Sequence, residues 1–309
     1  MLGAKAWTNA PDSQSDSDKM PVISAASLSA GAPFPASSSA ASPAQKDAFS
    51  YAVDGGFIRI SFSKVSSRPG EKGDELYGLI ELDLKDGWRT YWRNPGTSGF
   101  APKVELSGGA KAELLYPAPI LMREGEDWDY GYKGHISLPF RIIIPQNRQA
   151  VYTGNLLIGI CENMCMPQKL AFSFSPGNIS NKNKDELDDA LAALPKPADK
   201  AFQLSSLKKV KGGLEAVLLY PAENRAAPQL FIDGGDAQSG IPEARGAAKP
   251  DFIAEKVNGK GASSIRVVRQ LYYIPLPIGE AKAGQIIDYT AALPDGKAVS
   301  GNVKISGDR

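Results

Sequence analysis

From Phe49 onward the apolar residues fall on alternate positions in short runs. FIRISFS (57–63) sets Ile58, Ile60 and Phe62 against Arg59, Ser61 and Ser63, and LYGLIELDL (76–84) puts Leu76, Ile80, Leu82 and Leu84 on one face. A period of two is the repeat of a pleated strand with one buried face, not that of an amphipathic helix. HISLPFRIII (135–144), VYTGNLLIGI (151–160) and QKLAFSF (168–174) extend the pattern. It resumes in LEAVLLY (214–220), QLFI (229–232), DFIAEKV (251–257), IRVVRQLYYIPL (265–276), IIDYTA (286–291) and AVSGNVKI (298–305). Between these, GGDAQSGIPEARGAAKP (234–250) reads as a loop. The 31 glycines and 23 prolines supply the turns that so many short strands need. The expected fold is all-β, with two β-sandwich domains.

One segment breaks the alternation. In NKNKDELDDALAALPKP (181–197), Leu187, Ala190, Leu191 and Leu194 recur at helical spacing. Asp185 and Glu186 suit the first turn of a helix, and Pro195 stops it. This predicts a short connecting helix in a linker spanning 179–204, between a first domain at 49–178 and a second at 205–309. Residues 1–48 are rich in Ser, Ala, Pro and Asp, and offer too little apolar surface to offset the entropy of ordering. They are expected to form a disordered leader. No secretory signal is readable in them, so a signal is expected to lie upstream or to have been removed.

Charge narrows the function. The net charge of +1 gives no electrostatic footprint for nucleic acid, and no apolar run is long enough to span a bilayer. Chemistry concentrates in GICENMCMPQKL (159–170), which holds the chain's two cysteines, Cys161 and Cys165. Four residues along a straight strand span ~13 Å, too far for a disulfide. A helix would bring the α-carbons within roughly 6 Å, and a tight hairpin also closes the gap. NLLIGI before and KLAFSF after favour a hairpin, turning at Glu162-Asn163-Met164.

Three uses of the pair stay open. A structural bond across so small a loop removes little chain entropy. A redox pair suits the geometry, because local closure lets thiol and disulfide states share one fold. A copper(I) site would draw on Cys161, Met164, Cys165 and Met166, a soft set of two thiolates and two thioethers. Zinc is disfavoured, since His135 is the only histidine. Glu162 beside the first thiol would raise its pKa, and Arg123 or Lys169 could offset this. Trp88, Tyr91 and Trp92 read as packing residues, and Asn94-Pro95-Gly96 as a turn. Tyr130 and Tyr132, in DWDYGYKG (127–134), are candidates for a cap over the thiols.

GWRTYWRNPGTSGFAP (87–102), PAPILMREG (117–125), YGYKGHISLP (130–139) and CENMCMP (161–167) together resemble, in order and motif, the N-terminal periplasmic domain of the DsbD family and the related ScsB proteins linked to copper tolerance. The resemblance covers roughly residues 50–175. It implies immunoglobulin-like sandwiches, a periplasmic location and a relay of reducing equivalents that needs no cofactor. By position, Cys161 and Cys165 match the family's redox pair, with Cys161 favoured here as the partner-facing sulfur. The implied partners are a membrane thiol carrier, as a separate protein, and a soluble thioredoxin-like protein. A sandwich adaptor with a structural disulfide is the non-catalytic alternative.

Overall fold

The alternating runs do form strands, and their inward residues do form a core. In the computed structural model of the chain, residues 48–66, 74–223, 226–233, 240–256, 262–275 and 281–307 are described. All of these belong to one compact unit. The strands of its first part are β1 (Ala48–Val53), β2 (Gly56–Ser66), β3 (Asp74–Leu84), β4 (Thr90–Gly96), β5 (Lys103–Leu106), β6 (Lys111–Leu114), β7 (Ile120–Glu124), β8 (Asp127–Tyr132), β9 (His135–Ile143), β10 (Tyr152–Cys161) and β11 (Cys165–Phe174). They assemble as a five-stranded sheet β1-β2-β3-β9-β6, a three-stranded sheet β11-β10-β5 and a three-stranded sheet β4-β8-β7. Ile58, Ile60 and Phe62 of β2 share one buried core with Leu138 and Phe140 of β9 and with Leu156, Ile158 and Phe172 of the β10–β11 hairpin. Removal of this apolar surface from water is what holds the sheets together.

The outer face of the five-stranded sheet is covered too. Helix α1 (Lys184–Ala192) lays Leu187 and Ala190 against Tyr77 and Leu79 of β3. This explains why Ser61 and Ser63, on the polar face of β2, are also buried. The Asn183 N-cap makes no side-chain bond to the helix. Its amide oxygen instead accepts from Arg59, whose guanidinium also pairs with Glu81 and so ties the helix to the sheet. The helix is shorter than the periodicity predicted. Beyond the Ala193 C-cap, Leu194 N donates to Leu191 O at 3.4 Å, and Lys196–Pro197 leave the helix as a short strand, β12.

The remaining strands are β13 (Gln203–Val210), β14 (Gly213–Pro221), β15 (Gln229–Asp233), β16 (Glu243–Lys256), β17 (Ala262–Pro275), β18 (Ile286–Ala292) and β19 (Ala298–Ser306). They form one sheet in the order β15-β18-β19-β13-β14-β17-β16, with β12 paired to β19. Leu230 and Ile232 near one end of this sheet share a core with Tyr272 and Ile274 near the other, so the sheet wraps around that core.

Three expectations are corrected. Residues 243–250, read as loop, belong to β16; this is an edge strand bulged between Arg245 and Lys249, with its 243–249 side chains exposed, so no alternation marks it. Asn94-Pro95-Gly96 lies inside β4, where the register shifts between Tyr91 and Gly96. Gly96 has φ +92, and a Cβ there would meet Trp128 O at 2.3 Å, so glycine is required. Finally, Gln203 and Leu204 are strand rather than linker. The expected leader lies outside the described residues, apart from Ala48, which opens β1. Residues 234–239 of the expected loop, Val257 and Leu276 also lie outside them.

Candidate functional site

The site is built on the end of the β10–β11 hairpin. Continuous antiparallel register from Tyr152↔Phe174 ends with Cys161 directly opposite Cys165. Their α-carbons are 4.2 Å apart and the two sulfurs are bonded. Glu162, Asn163 and Met164 make the exposed turn between them. Backbone pairing along the hairpin thus brings the two cysteines opposite each other, alongside the sulfur bond.

The two sulfurs differ in access. Cys161 is fully buried, while Cys165 is partly exposed and Met164 is 77% exposed. Cys161, expected to face the partner, is thus the covered residue of the pair, and Cys165 is the more exposed one. The last four residues of β10 are buried, whereas β11 starts at the rim.

That cover comes from the aromatic block. Strand β5 pairs with β10 only as far as Leu157. Beyond it, Arg89 exchanges two backbone bonds with Cys161, at 2.8 and 2.9 Å. Thr90 Oγ1 donates to Gly159 O at 2.8 Å. Tyr91 is fully buried, and its hydroxyl lies 2.8 Å from Cys165 Sγ. A disulfide sulfur carries no hydrogen, so the hydroxyl donates. Gly99 lies against this ring, and a Cβ there would come within 2.1 Å of it.

Arg89 links the cysteine turn to the β7–β8 hairpin. Its Nη1 donates to Glu162 O at 2.9 Å, its Nη2 is 3.4 Å from exposed Glu124, and its Nε is 3.6 Å from buried Asp129. Asp129 also accepts from the Ser98 hydroxyl, which lies within reach of both carboxylate oxygens, and from the Ser98 amide. DWDYGYKG thus does reach the cysteine turn, through Arg89 rather than through its tyrosines. Tyr130 and Tyr132 point into the core. Tyr130 packs on Trp92, Trp128 and Phe231, and Tyr132 donates to Pro117 O at 2.9 Å. Burial pushes the pKa of both phenols up. The structure does not bring either to the sulfurs.

Sequence reasoning missed Tyr91 and Arg89 as site residues, although both lie in the aromatic block. Their signal was proximity in motif order, with nothing to show which side chain faces sulfur. Lys169 pairs across the hairpin with Leu157, and Arg123 sits on β7 opposite Trp128. The cation at the turn is Arg89. His135 pairs with Asp83 at an exposed strand end, 2.6 Å apart. Among the described residues no group of three or more His, Cys, Asp or Glu is placed to hold a metal.

Residues 64–174 match the family model described as thiol:disulfide interchange protein DsbD, N-terminal. The fold is similar to the crystal structure of the N-terminal periplasmic domain of ScsB from Proteus mirabilis. That likeness has a TM-score of 0.63 at 18% identity, and covers 82% of this chain and 94% of that one. No curated protein matches the chain. Among the described residues, no helix is long and apolar enough to cross a membrane.

Proposed function

On the premise that residues 64–174 are a domain of the DsbD N-terminal family, we propose that the chain is a periplasmic thiol–disulfide relay working through Cys161 and Cys165. The observation that carries this reading is the pairing of a reachable sulfur with a buried one across a hairpin that backbone bonds already close. In the reductive half, a thiolate of a donor dithiol attacks Cys165 Sγ. The Cys161–Cys165 bond breaks, a mixed disulfide forms and the Cys161 thiolate leaves. The donor's second thiolate then attacks the donor sulfur of that mixed disulfide and frees Cys165. The donor ends as a disulfide, and this chain holds two electrons and gains two protons as two thiols. In the oxidative half, the Cys165 thiolate attacks an acceptor disulfide and expels one acceptor thiolate. Cys161 then attacks Cys165 Sγ and expels the other, restoring the bond.

The donor is a separate membrane thiol carrier and the acceptor a soluble thioredoxin-like protein. The division into immunoglobulin-like domains at 49–178 and 205–309, joined through 179–204, belongs to the same reading. Trapping tests it. Cys161→Ser leaves Cys165 able to capture an acceptor but unable to release it, so a covalent complex with a thioredoxin-like protein accumulates. Capture by Cys161 in the Cys165→Ser variant instead would reverse the roles, and capture by neither would end the reading.

A copper(I) reading is favoured by one feature, the exposed Met164 beside Cys165 and partly exposed Met166. On reduction, Cys161 and Cys165 would add two thiolates to these thioethers. Anaerobic titration of the reduced protein against a competing chelator tests it. Copper binding that persists after Cys→Ser at both positions would dismiss this site.

A further inference from the structure

Strand β15 has two faces, and they serve different cores. Leu230 and Ile232 point into the core of the wrapped sheet. Phe231, between them, points the other way and is buried in the core of the first three sheets. This is the period-two consequence of a strand used as a shared wall. β15 is also the last strand in its sheet's order among the described residues, so its outer side is open to a further element.

The partner is β4. Phe231 contacts the ring of Trp92 at 6.1 Å and that of Tyr130 at 5.1 Å. Asn94 Nδ2 donates to Ile232 O at 2.7 Å. Arg93 pairs with Asp233 at 3.0 Å and stacks 4.4 Å over the Trp92 ring. Three consecutive residues of β15 therefore grip three consecutive residues of β4. The next residue back along β4 is Tyr91, whose hydroxyl meets Cys165 Sγ. Beyond Tyr91 the ladder of β4 to β8 is interrupted until Gly96, so β8 does not fix Trp92, Arg93 or Asn94 by strand pairing.

We infer that Phe231 is a positioning residue for the cysteine pair: by seating Trp92, it sets where the Tyr91 hydroxyl meets Cys165, making the second set of strands part of the redox site. This rests on the relay reading above. The hydroxyl acts on sulfur only at hydrogen-bond range, and a shift of β4 away from β11 would lengthen the 2.8 Å contact and weaken it.

The test is the pH dependence of Cys165 exchange with a small disulfide, in a Cys161→Ser background. Phe231→Ala is expected to move the midpoint upward and slow exchange about threefold near neutral pH, by weakening the hydrogen bond to the thiolate. Phe231→Leu, which refills the pocket, restores most of the rate. In a Tyr91→Phe background, Phe231→Ala has no further effect. Loss of thermal stability with an unmoved midpoint, or an undiminished effect without the hydroxyl, would overturn the inference. If Phe231→Ala does not fold, Asp233→Asn, which removes the ion pair to Arg93 without opening the core, is read by the same two criteria. An original Cys161–Cys165 bond that no dithiol reduces in the folded protein would instead retire the relay itself.

Discussion

Removing one hydroxyl gives the sharpest test of the site. The Tyr91 hydroxyl lies 2.8 Å from Cys165 Sγ in the disulfide state, which places it to donate to the Cys165 thiolate once the bond is reduced. A hydrogen bond to a charged group contributes ~1.5–3 kcal/mol. Taking the low end for a partly exposed sulfur, Tyr91→Phe raises the Cys165 pKa by about one unit. Well below both pKa values the thiolate fraction falls about tenfold. Each remaining thiolate is about threefold more nucleophilic, because reactivity rises with basicity at a slope of about 0.4–0.5. The net result is exchange about three- to fourfold slower near neutral pH. Well above both pKa values every thiol is ionised, and the variant becomes about threefold faster. The two pH–rate curves therefore cross. The ring stays, with its packing against Gly99, so the fold is kept. Stopped-flow reaction with a small aromatic disulfide, in a Cys161→Ser background, reads this directly. Curves that coincide, or that differ by one constant factor at every pH, would refute the hydrogen-bond argument.

Other consequences are open to measurement. Reducing the disulfide in the wild-type protein should lower the unfolding free energy by only about 2 kcal/mol, since the loop it closes is so short; a loss twice that size in urea titrations would favour a structural role. Arg89→Leu should loosen β8, with amide exchange there rising by up to about tenfold as the tie to buried Asp129 is lost; unchanged β8 protection would show that Arg89 does not hold that hairpin. Tyr116, Tyr130, Tyr132 and Tyr272 have pKa values raised by burial, Tyr116 to about 12. Their folded-state values exceed the unfolded ones, so their contribution is complete below about pH 10 and is lost as pH rises beyond it. Urea midpoints should hold steady to that pH and fall above it, and a flat profile would contradict the burial of these phenols.

The parts of the fold legible in the sequence are those where burial imposes an unbroken period. Ile58, Ile60 and Phe62 mark β2 because one face of that strand meets the main core. The cysteine hairpin was legible for the same reason, since NLLIGI and KLAFSF share one register. What stayed hidden lies at breaks in the period. The shift between Tyr91 and Gly96 makes β4 look like a turn, and it conceals that Tyr91, rather than Tyr130 or Tyr132, faces sulfur. The bulge in β16 hides an edge strand that has no buried face to reveal it over 243–249. Phe231 reads as an ordinary member of an apolar run. Only the packing of β15 between two cores shows that it leaves the core of its neighbours.

A relay of this kind requires the sulfur bond to open and close while the surrounding strands stay paired. Equilibrating the folded protein against graded ratios of reduced to oxidised dithiothreitol, then quenching with an alkylating reagent and weighing the products, addresses it directly. The expected result is one reversible two-electron transition between a form with no alkylated cysteine and a form with two, with the circular dichroism of the sheets unchanged across it. A bond that resists every ratio until denaturant is added, or a reduction that unfolds the chain, would contradict it.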